Sequence, residues 1–93
     1  MRGKARAKRK GHEWNIDEYD YQLMIQTCCR YCGGKLEASG VGLDRKDNTL
    51  GYVTSNVVPC CRTCNILKHD YFTYEEMMIL SPHLVQIRIH RIL

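Results

Sequence analysis

The sequence predicts a small α+β domain held together by a bound metal ion. Three observations lead there. The chain has 93 residues, near the length at which a single apolar core is only marginally adequate. Its six cysteines include two Cys-x-x-Cys pairs, a pattern that supplies the missing staple. Short β-branched stretches lie between segments with helical patterning, which gives strands and helices in one unit.

The first ten residues carry Arg2, Lys4, Arg6, Lys8, Arg9 and Lys10. Residues 1–10 therefore read as a basic arm that repels itself, is disordered when free and suits a polyanion. The net charge of +4 resides in this arm, because residues 11–93 hold eight Lys or Arg against ten Asp or Glu. Residues 11–93 read as a single domain without repeats or a dividing linker. "NIDEYDYQLMIQT" fits a helix capped by Asn15 or Asp17, with acids in its first turn. "CCRYCGG" turns the chain, "VGLDR" is a short strand, and "KDNTLGYVTS" is a turn-rich loop. "NVVP" makes a second strand ended by Pro59, and a helix follows from Cys61 to about His69. Thr73 and Glu76 form a capping-box pattern that opens another helix, which Ser81-Pro82 is expected to end or restart. "HLVQIRIHRIL" mixes the two periodicities and is read as helix.

No window approaches the ~20 apolar residues of a membrane span. The basic, polar start lacks the apolar region of a secretion signal. The expected setting is therefore cytoplasmic (the host's, for a phage-encoded chain), where thiols stay reduced and bind metal rather than pair. Cys29-x-x-Cys32 and Cys61-x-x-Cys64 are separated by 28 residues. Two such turns complete a tetrahedral zinc site with four thiolates and no open position, so its Zn²⁺ is structural. A site of this kind contributes ~10–16 kcal/mol of apparent binding energy. Cys28 and Cys60 read as small buried side chains.

The stretches "YCGG", "GLDRKDN" and "GYVTSNVVPCCRTCNILKHD" resemble the HNH nuclease superfamily. The likeness runs from about Arg6 to Met78. It is strongest to the zinc-containing branch with "DR" in the first strand and "CNxxK" in the helix, found in phage endonucleases and rare-cutting restriction enzymes. The resemblance implies a ββα-metal core, a hairpin plus a helix, stapled by the Cys₄ zinc and flanked by helices. It also implies metal-dependent hydrolysis of double-stranded DNA to 5′-phosphate and 3′-hydroxyl ends. Asp44 and Asn65 would hold the catalytic ion, Mg²⁺ or Mn²⁺, for which a carboxylate and an amide oxygen are suitable hard ligands. Asn56 would brace the loop between the strands, and Lys68 would reach a phosphate alongside the basic arm.

One position departs from the pattern. Most members place a His after the strand-one acid as general base, and this chain has Arg45. A guanidinium cannot accept a proton at neutral pH, although it can grip a phosphate. By similarity to the "DR" restriction enzymes, His12 and Tyr21 are the candidates to activate water. The missing base leaves a second reading open, a zinc-stapled nucleic-acid-binding module with weak or no catalysis. The apolar segment from Leu84 to Leu93 offers a surface for a homodimer.

Overall fold

The computed structural model describes residues 4, 7–8, 10–36 and 42–93. Arg2, Arg6 and Arg9 of the basic arm lie outside the described residues. Of the arm's other members, Lys4 and Lys8 are helical and exposed, and Lys10 is exposed in the turn that follows. Ala7 between them is buried, and its carbonyl accepts the His12 N–H at 2.9 Å.

The chain then builds β1 (Trp14–Asn15), α1 (Glu18–Met24), β2 (Leu43–Arg45), β3 (Tyr52–Val53), a 3₁₀ turn (Thr54–Asn56), β4 (Val57–Pro59), α2 (Arg62–Lys68) and α3 (Tyr74–Ile92). Asp17 caps α1 by accepting the Tyr19 N–H at 3.0 Å, with Glu18 and Asp20 in the first turn. These acids face the positive end of the helix dipole. At the start of α2 the cap is a cysteine: Cys61 Sγ accepts the Cys64 N–H at 3.4 Å.

β2 and β4 pair antiparallel, with Asp44 opposite Val58 and Arg45 opposite Val57. The pleat sends alternate residues to opposite faces, and the two faces meet different cores. Leu43 and Val57 pack with Ile16 and Tyr21, against which Trp14 and Tyr52 lean. Val58 joins Tyr31, Met77 and the cysteines in the second core, covered by α3 through Met78, Leu80 and Leu84. Asp44 shares the face of Val58, so its carboxylate points toward the cysteine core and α2.

β1 and β3 form a parallel pair, Trp14 with Tyr52 and Asn15 with Val53. The sequence reading put residues 46–55 in a loop, and this pairing was not expected. Gly51 makes it possible. A Cβ there would lie 2.5 Å from Glu13 Cβ and 3.0 Å from the Glu13 carbonyl oxygen, which accepts the Tyr52 N–H at 2.8 Å. Only glycine lets the two backbones cross so closely.

α3 also differs from expectation, because it runs unbroken through Pro82. The proline removes one intrahelical donor, but contacts on both sides of it tie the helix to the first knuckle. Ser81 Oγ donates to the Tyr31 carbonyl at 2.6 Å, and Arg88 Nε donates to the Cys32 carbonyl at 2.8 Å. The start is secured by the Thr73–Glu76 capping box, with bonds of 3.0 and 2.9 Å. Among the described residues, no helix is long and apolar enough to cross a membrane.

Candidate metal centre and active site

Cys29, Cys32, Cys61 and Cys64 present sulfur atoms that all lie within 4.8 Å of one another. Cys32 Sγ and Cys61 Sγ are 3.8 Å apart. Sulfurs at ~2.3 Å from a tetrahedral zinc are separated by about 3.8 Å, so the four thiols are gathered closely enough to hold that ion. Backbone donors support it: the Gly34 N–H reaches Cys32 Sγ at 3.3 Å and the Cys64 N–H reaches Cys61 Sγ. Cys60 is buried beside the cluster, and its hydrogen bond with Cys29, followed by burial, pushes its thiol up. Cys60 therefore stays a thiol while Cys29 is drawn toward the thiolate. Cys28, expected to be buried, is exposed in an isolated bridge with Lys35.

Asp44 lies close to this cluster and is almost fully buried. Two donors converge on one of its oxygens. The Tyr31 hydroxyl donates to Oδ2 at 2.5 Å, and Lys68 Nζ stands 3.3 Å from the same atom. Both of these contacts go to Oδ2 rather than Oδ1. Burial raises the Asp44 pKa, while Tyr31, Lys68 and Arg45 pull it back toward the ionised form. Burial and the neighbouring carboxylate push the Tyr31 phenol well above its ordinary range, which keeps it a donor. Asn65 is exposed on α2, one turn or ~4.5 Å of axial rise before Lys68. The carboxylate thus faces the helix that carries Asn65.

Lys68 is a correction to the sequence reading. It was expected to reach a phosphate, but it is 1% exposed. Its ammonium also donates to the Arg45 carbonyl at 2.9 Å and lies 3.5 Å from Asn48 Oδ1. A charge so enclosed needs all of its partners, and none is left over for the surface.

Arg45 folds back over its own loop. Nη1 donates to the carbonyls of Asn48 at 3.1 Å and Leu50 at 2.9 Å, and the guanidinium lies 5.4 Å from the Tyr52 ring centre. His12 meets the same ring edge-on at 5.8 Å. The crossing at Gly51 is what brings His12 here. Partial burial, then the charges of Arg45 and Lys10, lower the His12 pKa below 6.5, so its imidazole is neutral at neutral pH. Asn56 ties the loop: Nδ2 donates to the carbonyls of Asp47 at 3.1 Å and Gly51 at 3.0 Å, and Oδ1 accepts the Asp47 N–H at 3.0 Å.

Tyr21 belongs to the core against which Tyr52 leans. It is buried against Trp14, with ring centres 5.3 Å apart, in the core on the far face of β2. The tyrosine that touches Asp44 is Tyr31, which the sequence reading did not single out. Its one signal was its position inside the first knuckle, between Cys29 and Cys32.

A strand that presents a carboxylate, its antiparallel partner and a following helix, clamped by four cysteines, define a ββα-metal domain. The chain superposes on the rare-cutting HNH restriction endonuclease PacI, an enzyme described by its perturbation of DNA, with a TM-score of 0.78 and 25% identity over 97% of this chain and 76% of that one. The fold and the four-cysteine cluster are those of a zinc-containing HNH superfamily member. No family model matches the chain. Two curated viral proteins are similar in sequence. One is an uncharacterized protein of Acanthamoeba polyphaga mimivirus, 33% identical over 69 residues, 74% of this chain. The other is an uncharacterized 29.0 kDa protein of Enterobacteria phage T4, 33% identical over 79 residues, 80% of this chain. The chain spans only 13% and 32% of the lengths of these two relatives.

Proposed function

We propose that the protein is a divalent-metal-dependent DNA endonuclease that leaves 5′-phosphate and 3′-hydroxyl ends. The observation that carries this reading is that the His12 imidazole and the guanidinium of Arg45, the residue next to Asp44, both lie against the Tyr52 ring. It answers the problem posed by Arg45, which cannot act as a base. In the proposed site, His12 accepts the proton of the attacking water. Arg45 supplies positive charge near the phosphate. Asp44 Oδ1 and the Asn65 side-chain oxygen are the ligands for a Mg²⁺ or Mn²⁺ ion. When bound, that ion offsets charge on the phosphate and on the departing oxygen. One carboxylate gives weak affinity, so the ion is held firmly only with substrate phosphate as a further ligand. Exposed Lys4, Lys8 and Lys10 contribute counterion-releasing contacts to the DNA backbone, as would Arg2, Arg6 and Arg9.

The test is incubation of supercoiled plasmid with the zinc-loaded protein in Mg²⁺, Mn²⁺ or EDTA. The expected result is nicking or cutting in either metal, none in EDTA, and loss of activity in Asp44→Ala and Asn65→Ala with zinc content retained. If both variants cut at the wild-type rate, the site is misassigned. The Lys68–Asp44 ion pair favours one second reading, in which the carboxylate is neutralised internally and the domain only binds DNA. Retardation of duplex DNA without cleavage in Mg²⁺, Mn²⁺ and Ni²⁺ would select it.

A further inference from the structure

Resting on that reading of Asp44, we infer that Tyr31 is a positioning residue that couples the four-cysteine cluster to the cation site. It holds Asp44 Oδ2 so that Oδ1 faces the divalent ion. The argument begins with where the two donors to Oδ2 come from. Tyr31 lies inside the first knuckle, next to Cys32 and two residues after Cys29, so cluster cysteines anchor the chain on both sides of it. Lys68 lies on α2, which Cys61 of the second knuckle caps and whose first turn contains Cys64. Each knuckle therefore sends one donor to the same carboxylate oxygen, at 2.5 and 3.3 Å.

Tyr31 is held as a rigid part. Its side chain is fully buried, its ring stands 6.1 Å from that of Tyr74, and its carbonyl accepts Ser81 Oγ at 2.6 Å. A donor fixed in this way sets the rotation of the carboxylate. A carboxylate has lone pairs on both oxygens, and occupying Oδ2 twice leaves Oδ1 as the atom available to a cation. Removing the hydroxyl would leave Lys68 alone to orient the group, and its ammonium would then compete with the ion for either oxygen. The cluster would accordingly do more than keep the fold closed, because its geometry would be passed through Tyr31 to the site of chemistry.

Tyr31→Phe keeps the ring and deletes only the donor. Mn²⁺ binding to the zinc-loaded protein with a DNA duplex present is followed by electron paramagnetic resonance, and plasmid cleavage is followed against Mn²⁺ concentration. The variant is expected to keep wild-type zinc content and to need about tenfold more Mn²⁺ for half-saturation, the order of one charge-assisted hydrogen bond. Cleavage should recover substantially at saturating Mn²⁺, a response that a general packing defect would not give. A zinc-loaded Tyr31→Phe protein with the wild-type Mn²⁺ response overturns the inference and leaves the nuclease reading standing. Failure of the wild type to bind Mn²⁺ at all sinks the cation-site reading and this inference with it. If the variant does not hold zinc, the wild-type Tyr31 hydroxyl proton is observed by NMR instead. It should shift on Mg²⁺ saturation, and a resonance unmoved by Mg²⁺ overturns the coupling.

Discussion

Asp44 and Arg45 are neighbours in β2, yet the pleat gives them different surroundings. Asp44 meets Tyr31 and Lys68, whereas Arg45 meets Tyr52 and the carbonyls of its own loop. They remain electrically linked, since Arg45 helps keep Asp44 ionised and helps keep His12 neutral. The effect on His12 fixes the sign of a pH dependence. With His12 in its proposed role, a lowered pKa means that the imidazole can accept a proton at neutral pH and loses that capacity only as the pH falls through a value below 6.5. The acid limb of cleavage against pH should therefore have its midpoint below 6.5. His12→Ala should reduce cleavage by roughly 10²–10⁴-fold, the range for losing a positioned base. An acid limb above that value, unchanged in His12→Ala, would assign the base elsewhere.

The elements differ in how far the sequence revealed them. The knuckles were legible because a Cys-x-x-Cys turn encodes its ligand geometry within four residues. The α1 cap, the α3 capping box, β2, β4 and α2 were legible for the same reason, each carrying its signal locally. The β1–β3 pair was not, because a parallel pairing of two-residue strands has no periodicity to read and depends on a distant backbone crossing at Gly51. The continuity of α3 through Pro82 was hidden as well, since it rests on Ser81 and Arg88 reaching the first knuckle. Similarly, Lys68 looked like a surface cation because nothing in "CNILK" shows that its ammonium turns inward to Asp44. The Gly51 crossing can be tested as an element. Gly51→Ala forces a Cβ to within 2.5 Å of Glu13 and should part β1 from β3. The expected outcome is a cleavage defect at least as large as that of His12→Ala with zinc still bound. Wild-type cleavage in Gly51→Ala would mean that His12 need not be held at this crossing.

At the scale of the molecule, two small cores of the described residues flank one short hairpin, and the cysteine cluster belongs to the larger one. The long helix α3 closes over that core and contacts both Tyr31 and Cys32 through their carbonyls. The cluster, the hairpin and α2 thus act as a frame, and the frame brings a carboxylate against the helix that carries an exposed amide. The N-terminal segment adds the imidazole with Lys10 near it, and Lys4 and Lys8 add exposed positive charge. The central claim is that Asp44 and Asn65 share one divalent ion. Its most direct test is a crystal of the zinc-loaded protein with a DNA duplex and Mn²⁺, measured at the manganese absorption edge. The account predicts an anomalous peak about 2.1 Å from both Asp44 Oδ1 and the Asn65 side-chain oxygen. A peak that touches neither residue, or both Asp44 oxygens taken up by Lys68 with DNA in place, would contradict it.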